Sequence, residues 1–260
     1  MKNTWLIAVL FVAGCVTPDV VPTETVRDLA PSGTLRAAIN FGNPVLAQRD
    51  PASGEPRGVS ADLARELARR LAVPIDFRVY DAAGKVTADA TRGAWDIAFV
   101  ARDPERAKDI EFTAAYVIIE GAYMVPANSP LQKVEDVDRE GVRIAVSRGS
   151  AYDLFLSRGV IKRATLVRAP SPQASIEQFA AEKLEAAAGV KSPLIEYAKT
   201  HPGYRVLPGR FMIIEQAMAV PRGRPLAVRY LREFIDELKA SGFVAASLQK
   251  SGQKDAAVAP

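Results

Sequence analysis

Short apolar strands alternate with amphipathic helices along most of this 260-residue chain, and this alternation constrains its fold more than any other feature. In the first part of the chain the pattern predicts strands at residues 35–39, 75–79 and 95–100, with helices between them at 60–71 and 85–91. Strands that follow one another through helices form parallel sheets with right-handed crossovers. The alternation therefore predicts an α/β fold with a parallel core.

A second series of the same elements follows. Its strands and helices are predicted at residues 142–146, 150–156, 165–168, 175–183, 186–190 and 193–199. Two long strands, 117–125 and 212–220, flank this series, and they end in the similar sequences V-P-A-N-S-P-L and V-P-R-G-R-P-L. The similarity is either a coincidence or a sign that both strands cross between two lobes. We interpret the strands as two hinge crossings.

The two crossings divide the chain into lobes. Lobe 1 is predicted to comprise residues 33–124 plus 221–260, and lobe 2, inserted between these parts, residues 127–217. Beyond the second crossing, apolar residues at helical spacing predict a core helix over 226–238. Two lobes joined by two strands are suited to hinge closure around a ligand. We therefore expect a binding cleft between the lobes.

The stretch from Trp95 to Tyr116 holds the strongest candidate for ligand binding. Its apolar strand is followed by Asp103-Pro104, which can cap and begin a helical turn, and Arg106 lies in that turn. In open α/β sheets, ligands bind just outside the carboxyl ends of the strands. An arginine at such a place can hold a carboxylate through two parallel charge-assisted hydrogen bonds. Arg106 is thus predicted to bind a carboxylate.

The same stretch, D-I-A-F-V-A-R-D-P-E-R-A-K-D-I-E-F-T-A-A-Y, resembles the signature of the periplasmic solute-binding proteins, family 3, which are receptors of polar amino-acid ABC importers. The segment G-V-S-A-D-L-A-R-E-L-A-R-R-L is similar to a second pattern of that family. The resemblance implies the two-lobed type II periplasmic-binding-protein fold, with Arg106 on the ligand carboxylate. It also implies an ABC permease as partner, a monomer, and no enzymatic activity, metal or cofactor.

Further ligand contacts follow from the resemblance. The family places the first loop after the strand at 35–39 on the ligand, and a turn matching S-R-G-S-A-Y touches the ligand carboxylate. The candidate ligand-binding residues are Arg106, Asn40, Phe41, Asn43, Ala101, Ser147, Gly149 and Ser150. From the residues alone, the first loop can equally be a plain turn, and the second segment a capped helix start.

The sequence departs from the family pattern where an α-ammonium group would bind. The resemblance implies an acid at the end of the strand at 186–190, where this chain has Ala188, Gly189 and Val190. An ammonium buried without a partner costs several kcal/mol. Either another acid takes this role, for which the candidates are Glu120, Asp153 and Glu215, or the ligand is a carboxylate without the amine.

Other departures concern the walls of the pocket. Val59 stands where the family often has an aromatic residue, and the positions where the family has hydroxyl residues before the arginine are Phe99, Ala101 and Asp103. Arg102 beside Arg106 either favours a more anionic ligand or is a solvated surface arginine. The sequence therefore does not specify the ligand.

The N-terminal residues indicate export. Residues 1–14 carry Lys2 and a short apolar run, too short to span a bilayer, and are predicted to be a signal peptide. V-A-G-C, ending at Cys15, resembles a lipobox, so we expect a periplasmic protein anchored to a membrane by a lipid on Cys15; the alternative is an ordinary signal peptide. Residues 15–32 contain three prolines and are predicted to be an extended tether, and the last nine residues are predicted to be disordered.

Composition argues against several other functions. The formal net charge of +4 is scattered along the chain, which argues against nucleic acid as a partner. His201 is the one histidine and Cys15 the one cysteine, so neither a catalytic triad nor a cysteine-based metal site is expected. Two alternatives stay open: a sensor input domain, and an enzyme like the cyclohexadienyl dehydratases, which share this fold and for which Glu185 or Glu215 could serve as the acid.

Overall fold

The computed structural model describes residues 21–253 and 256–260. It is a mixed α/β structure. The strands are β1 (Leu35–Asn40), β2 (Gln48–Arg49), β3 (Pro56–Arg57), β4 (Ile75–Tyr80), β5 (Ile97–Ala101), β6 (Ile110–Pro126), β7 (Arg143–Ser147), β8 (Thr165–Ala169), β9 (Ala186–Val190), β10 (Tyr204–Val206), β11 (Met212–Pro221) and β12 (Ala257–Val258). The helices are α1 (Thr23–Leu29), α2 (Val59–Leu71), α3 (Ala83–Ala88), α4 (Ala151–Phe155), α5 (Pro172–Ala181), α6 (Lys191–Thr200), α7 (Pro225–Ala240) and α8 (Phe243–Lys250).

Two parallel three-stranded units make up the ends of one long sheet, whose order is β4-β1-β5-β11-β6-β9-β7-β8. In lobe 1, β1 pairs in parallel with β4 and β5; in lobe 2, β7 pairs in parallel with β8 and β9. This arrangement confirms the predicted α/β fold with two lobes. The residue limits of each lobe remain a prediction from the sequence.

The long strands β6 and β11 connect the two units. They pair with each other antiparallel from Met212 opposite Gly121 to Pro221 opposite Ile110, with register shifts on both sides of Ala217. β11 also pairs with β5 of lobe 1, and β6 with β9 of lobe 2. The chain thus crosses between the lobes twice, as the two long strands predicted.

The helices cover the sheet through their apolar faces. Val59, Leu63 and Leu67 of α2 are fully buried in lobe 1, as their four-residue spacing predicts. The predicted start at residue 60 was one residue late, because α2 begins at Val59 after Gly58, whose φ of 101° is readily adopted only by glycine. Ser60 instead lies within the helix, where its buried hydroxyl hydrogen-bonds the Tyr116 hydroxyl at 3.1 Å.

The predicted tether at 15–32 is not extended throughout. Residues 1–20, including the predicted signal peptide and Cys15, lie outside the described residues, but Thr23–Leu29 form helix α1. Leu29 is fully buried in the core of lobe 1, and the Asp28 carboxylate accepts a hydrogen bond of 2.8 Å from the Ala227 amide at the start of α7. These contacts fix the segment to the lobe, which the scattered prolines did not reveal.

The predicted disorder of the last nine residues was also wrong for the part described. β12 pairs with β6 at Ile118 and Val117, and the Ala259 amide donates to the Tyr116 carbonyl at 3.1 Å. Strand pairing between residues so distant in sequence has no local signal. Among the described residues, no helix combines the length and apolar character that crossing a membrane requires.

Candidate ligand-binding site

A cavity of about 560 Å³ lies between the two lobes. The carboxyl ends of all six parallel strands, or the loops that follow them, contribute to its wall, and the hinge strand β11 adds Ile214 and Gln216. Of the eight predicted ligand contacts, seven line this cavity: Asn40, Phe41, Asn43, Ala101, Arg106, Ser147 and Ser150. The position agrees with the rule that ligands of α/β sheets bind where parallel strands end.

Arg106 is a buried cation at this cavity, with 5% of the residue exposed. Its Nη1 donates to the Ala101 carbonyl at 2.8 Å and its Nη2 to the Gly149 carbonyl at 2.9 Å. Nε has no partner, and no ion pair joins Arg106 to a carboxylate within the described part of the chain. Burial lowers the pKa of Arg106 to about 10, so the guanidinium is charged at neutral pH.

The nearby acid Asp103 does not neutralise this cation by direct contact. Its Oδ1 accepts from the Glu105 amide at 2.8 Å, which shapes the turn before Arg106, and its Oδ2 pairs with Arg158 of lobe 2 at 2.5 Å. The Asp103 charge raises the pKa of Arg106, but burial outweighs it. A buried charge without a paired counter-ion is unfavourable unless another anion enters.

Lobe 2 presents Ser147, at the end of β7, to the same cavity. Ser147 Oγ is buried and meets no partner at hydrogen-bonding geometry. Ser150 caps α4, since its Oγ accepts from the Asp153 amide at 3.1 Å. Gly149 does not line the cavity; its carbonyl instead accepts from Arg106, and its amide donates to Asp153 at 2.8 Å. The predicted turn is therefore present, but Gly149 positions Arg106 from outside the cavity wall.

The first loop forms a tight turn above the cavity. The Asn40 carboxamide oxygen accepts from the Gly42 amide at 2.9 Å, and a side chain at Gly42 would meet the Asp81 carbonyl at 2.2 Å, which only glycine avoids. The side-chain oxygen of Asn43 is buried without a partner. Arg49 covers the Phe41 ring, 4.9 Å from its centroid. Both the turn and the cavity wall are therefore built by this loop.

None of the three acids predicted as substitutes for the missing carboxylate lines the cavity. Glu120 pairs with Lys191 and Arg210, Asp153 with Arg168, and Glu215 with Arg102. The alternative in which one of these acids holds an ammonium is not supported, because each of them lies beside a cation of its own. Arg102 is half exposed and pairs with Glu215, so it is a surface arginine and does not line the cavity.

The acids considered for a dehydratase lie outside the cavity too. Glu215 is half exposed, and Glu185 forms hydrogen bonds with Arg143, which lower the pKa of Glu185 below its usual range. A catalytic acid needs the opposite shift. His201 ends α6 on the surface and stacks on Tyr197. Within residues 21–253 and 256–260, no group of three or more histidine, cysteine, aspartate or glutamate residues could hold a metal ion.

Several lining residues escaped the sequence analysis. Asp81 follows β4 directly, and Ser171-Pro172-Gln173 begin α5 after β8. Ser171 caps this helix and Pro172 is its first residue, a pattern that the sequence displays and that places the helix start before the predicted Ser175. Gln216 lies on the hinge strand, where a polar residue carries no local signal of function.

The two lobes touch across the cleft, so the structure is closed. Gly84 of lobe 1 packs against lobe 2 so tightly that a β-carbon there would lie 2.4 Å from the Arg148 carbonyl oxygen. The hydrogen bond from Arg106 to Gly149 and the ion pair of Asp103 with Arg158 also join the lobes. The cavity therefore lies between lobes that contact each other, and part of it stays open to solvent.

A family model describing bacterial extracellular solute-binding proteins, family 3, matches residues 35–254, which is most of the chain. The chain belongs to this family. As a family 3 solute-binding protein it is an extracellular, ligand-binding protein by class, in agreement with the resemblance of its Arg106 segment. No curated protein sequence matches it.

Solved structures agree on the fold of this solute-binding protein. A mutant of ArgBP from T. maritima superposes with a TM-score of 0.75 at 19% identity, covering 88% of this chain and 100% of that one. The solute receptor for L-cysteine of Neisseria gonorrhoeae gives 0.75 at 21% identity, covering 87% and 92%. An ancestral amino-acid-binding protein, titled a precursor of cyclohexadienyl dehydratase, gives 0.72 at 20% identity, covering 87% and 98%. The TM-scores of these superpositions establish a shared type II periplasmic-binding-protein fold.

Proposed function

We propose that this protein is the extracytoplasmic substrate-binding subunit of an ABC importer, and that it captures a small carboxylate-bearing solute by closure of its lobes. The observation that carries the proposal is Arg106, a buried guanidinium at the interlobe cavity without a carboxylate partner in the described chain. Proteins rarely bury an unpaired charge, and a ligand anion is the partner that this geometry lacks.

The free hydrogen-bonding capacity of Arg106 supports a carboxylate ligand. A guanidinium has five N–H donors, and two of them are used by the carbonyls of Ala101 and Gly149. The other three, including the unpartnered Nε–H, remain for two carboxylate oxygens. The two carbonyls hold the planar group in place before the ligand arrives, so little side-chain freedom is lost on binding.

Other polar groups at the cavity complete the proposed contacts. Ser147 Oγ and the Asn43 side-chain oxygen are both buried without partners and line the same cavity as Arg106. Unsatisfied buried groups cost about 1–3 kcal/mol each. The Ser147 hydroxyl can donate to a ligand carboxylate and so offset its cost, whereas the Asn43 oxygen only accepts. We assign Ser147 to direct contact with the carboxylate, and Asn40, Phe41, Asn43, Ala101 and Ser150 to the cavity wall.

Residues outside the described part of the chain complete the proposal. Residues 1–14 are removed on export to the periplasm, and a lipid on Cys15 holds the monomeric protein at the membrane near the permease. Metabolic labelling with a fatty acid tests this, because the wild-type protein should incorporate label and Cys15→Ser should not. Labelling that survives in Cys15→Ser contradicts lipidation at this residue.

A ligand screen tests the proposed function itself. Amino acids, dicarboxylates, aromatic acids and prephenate are added to the purified protein, and the unfolding midpoint is measured. A ligand at a hundred times its Kd adds about 2.7 kcal/mol, which raises the midpoint by several degrees. Arg106→Ala should abolish the response, whereas Arg102→Ala, which removes an exposed arginine four positions earlier, should leave it unchanged.

The fate of the bound compound separates a receptor from an enzyme. After incubation and release, the compound should be recovered chemically unchanged, as judged by NMR. Conversion of prephenate by the wild-type protein would instead favour the dehydratase alternative. A carboxylate response that persists in Arg106→Ala contradicts the proposed site.

A further inference from the structure

We infer that the ligand is a carboxylate with an apolar body and without an α-ammonium group. The inference rests on the proposed function, because it takes Arg106 as the site of the carboxylate. It concerns the part of the ligand beyond its carboxylate, and therefore the cavity wall other than Arg106.

The cavity offers no buried carboxylate to an ammonium group. Asp81 is the one acidic residue that lines it in the described chain. The Asp81 side chain is 62% exposed and already pairs with Lys85, with Oδ1 and Nζ 2.7 Å apart. An exposed carboxylate that shares a lysine contributes little to holding a second cation.

The other acids near the cleft are turned away from the cavity. Asp103 and Asp153 are both buried, but neither lines the cavity. Asp103 pairs with Arg158; Asp153 accepts from Arg168, from Ser157 and from the Gly149 amide. Each of these carboxylates is therefore saturated by groups of the protein itself.

The strand end that faces the cavity in lobe 2 is also uncharged. Ala188, Gly189 and Val190 line the cavity there. An α-ammonium is separated from its own carboxylate by one carbon atom, so it would lie near the Arg106 guanidinium. The cavity wall there has no free carboxylate to neutralise it. Neutral acceptors such as the Gln216 amide can hydrogen-bond an ammonium, but they do not neutralise its charge. The site should thus discriminate against the amine.

Most of the remaining wall is apolar. Phe41 and Phe99 line it from lobe 1, Ile176 and Leu194 from lobe 2, and Ile214 from the hinge. Such a surface favours an aliphatic or aromatic body, and the polar residues beside it, among them Ser171, Gln173 and Gln216, carry no charge to neutralise a second charged group. A volume of about 560 Å³ is ample for an acid of this size. The chemistry therefore indicates a monocarboxylate with an apolar body.

Matched pairs of ligands test the inference on the purified protein. 3-Phenylpropanoate is compared with L-phenylalanine, and 4-methylpentanoate with L-leucine, by isothermal titration calorimetry. We expect each simple acid to bind at least about tenfold more tightly than its amino acid, because the amine must be desolvated without a counter-ion. 3-Phenylpropanamide, which lacks the negative charge, should bind weakly or not at all.

Val190 provides a gain-of-function test. It is the N-cap residue of α6 and lines the cavity, so Val190→Asp adds a carboxylate of similar shape at a position where aspartate stabilises a helix. This variant should shift the preference towards the amino acid of each pair by about tenfold or more. Val190→Asn, which has the same shape without the charge, should keep the wild-type preference.

The outcomes separate this inference from the proposed function. Tighter binding of the amino acids than of the simple acids, with loss of binding in Arg106→Ala, overturns the inference and keeps the carboxylate site. Binding of dicarboxylates but not of monocarboxylates also overturns the inference and keeps the carboxylate site. Failure of every carboxylate, or binding that does not depend on Arg106, overturns both proposals.

Discussion

Asp103 of lobe 1 and Arg158 of lobe 2 form an ion pair across the cleft, with Oδ2 and Nη1 2.5 Å apart. Asp103 is buried, whereas Arg158 is partly exposed, and Asp103 lies three residues before Arg106. The ion pair can form only when the lobes are together. It therefore stabilises the closed state next to the proposed carboxylate site.

Loss of this ion pair should weaken ligand binding without affecting the fold. Arg158→Gln removes the charge from lobe 2 and leaves the Asp103 turn intact. We expect about a fivefold loss of affinity, corresponding to about 1 kcal/mol for a partly exposed pair, mainly through faster ligand release. Stopped-flow release measurements test this; Arg163→Gln, a neighbouring surface arginine, is the control. An unchanged release rate in Arg158→Gln means that the pair does not hold the lobes together.

Gly84 permits the close approach of the lobes. A methyl group at this position would lie 2.4 Å from the Arg148 carbonyl oxygen in the closed structure, but alanine is the better residue for its position in α3. Gly84→Ala should therefore keep or raise the stability of the ligand-free protein and reduce ligand affinity. In small-angle X-ray scattering, the radius of gyration of the variant should not decrease when ligand is added.

Gly203→Ala is the control for this substitution, since no atom lies within 4 Å of the added methyl group. It should bind and compact like the wild type. Normal ligand-induced compaction of Gly84→Ala would show that the lobes close in some other arrangement.

The sequence predicted the elements and the main charge of the site because these have local causes. Apolar periodicity marks the strands and helices, and Arg106 lies in a turn after a buried strand. Asp81 and Ser171-Pro172 follow strands in the same way and could have been found by the same rule. Rules that act along a few residues thus recover most of the cavity wall.

The features that were missed depend on contacts distant in sequence. Pairing of β12 with β6 requires residues more than a hundred positions apart, and no pattern in the last residues announces it. Glu120, Glu215 and Asp153 looked available for an ammonium, but each lies against a cation supplied by another segment. Which acid is free is a property of the assembled fold.

Arg106 should reduce the stability of the ligand-free protein. Burial lowers the pKa of Arg106 to about 10, so below pH 10 the proton on Arg106 is held less favourably in the native state than in the unfolded chain. This cost is fully present at neutral pH and decreases as the pH rises above 10. Arg106→Gln, which removes the charge and keeps one donor, should unfold at a temperature no lower than the wild type.

Arg224→Gln is the comparison variant, because Arg224 pairs with the buried Asp96. Loss of this pair should lower the unfolding temperature. Differential scanning calorimetry of the ligand-free proteins at pH 7 measures both. A clear drop for Arg106→Gln would mean that its bonds to Ala101 and Gly149 outweigh the cost of its buried charge.

The two lobes contain the same arginine–carboxylate arrangement at different depths. In lobe 1, the amide and Nε of Arg36 both donate to Asp96 Oδ2, at 3.0 and 2.9 Å; in lobe 2, the amide and Nε of Arg143 both donate to Glu185 Oε2, at 2.8 and 2.9 Å. Asp96 has a fully buried side chain and also pairs with Arg224, whereas Glu185 is 35% exposed. The same hydrogen bonds are thus buried in lobe 1 and partly exposed to solvent in lobe 2.

Burial should decide what each pair contributes to stability. Asp96→Asn leaves Arg36 and Arg224 without their buried counter-ion and should cost about 3–5 kcal/mol, whereas Glu185→Gln should cost about 1 kcal/mol. Urea unfolding at pH 7 measures both. Arg143 lowers the pKa of Glu185, so the ion pair stabilises the native state at neutral pH. This stabilisation is lost as the pH falls through the lowered pKa. The difference in unfolding free energy between the wild type and Glu185→Gln should therefore vanish in acid. Equal costs for the two substitutions at pH 7 would contradict the role of burial.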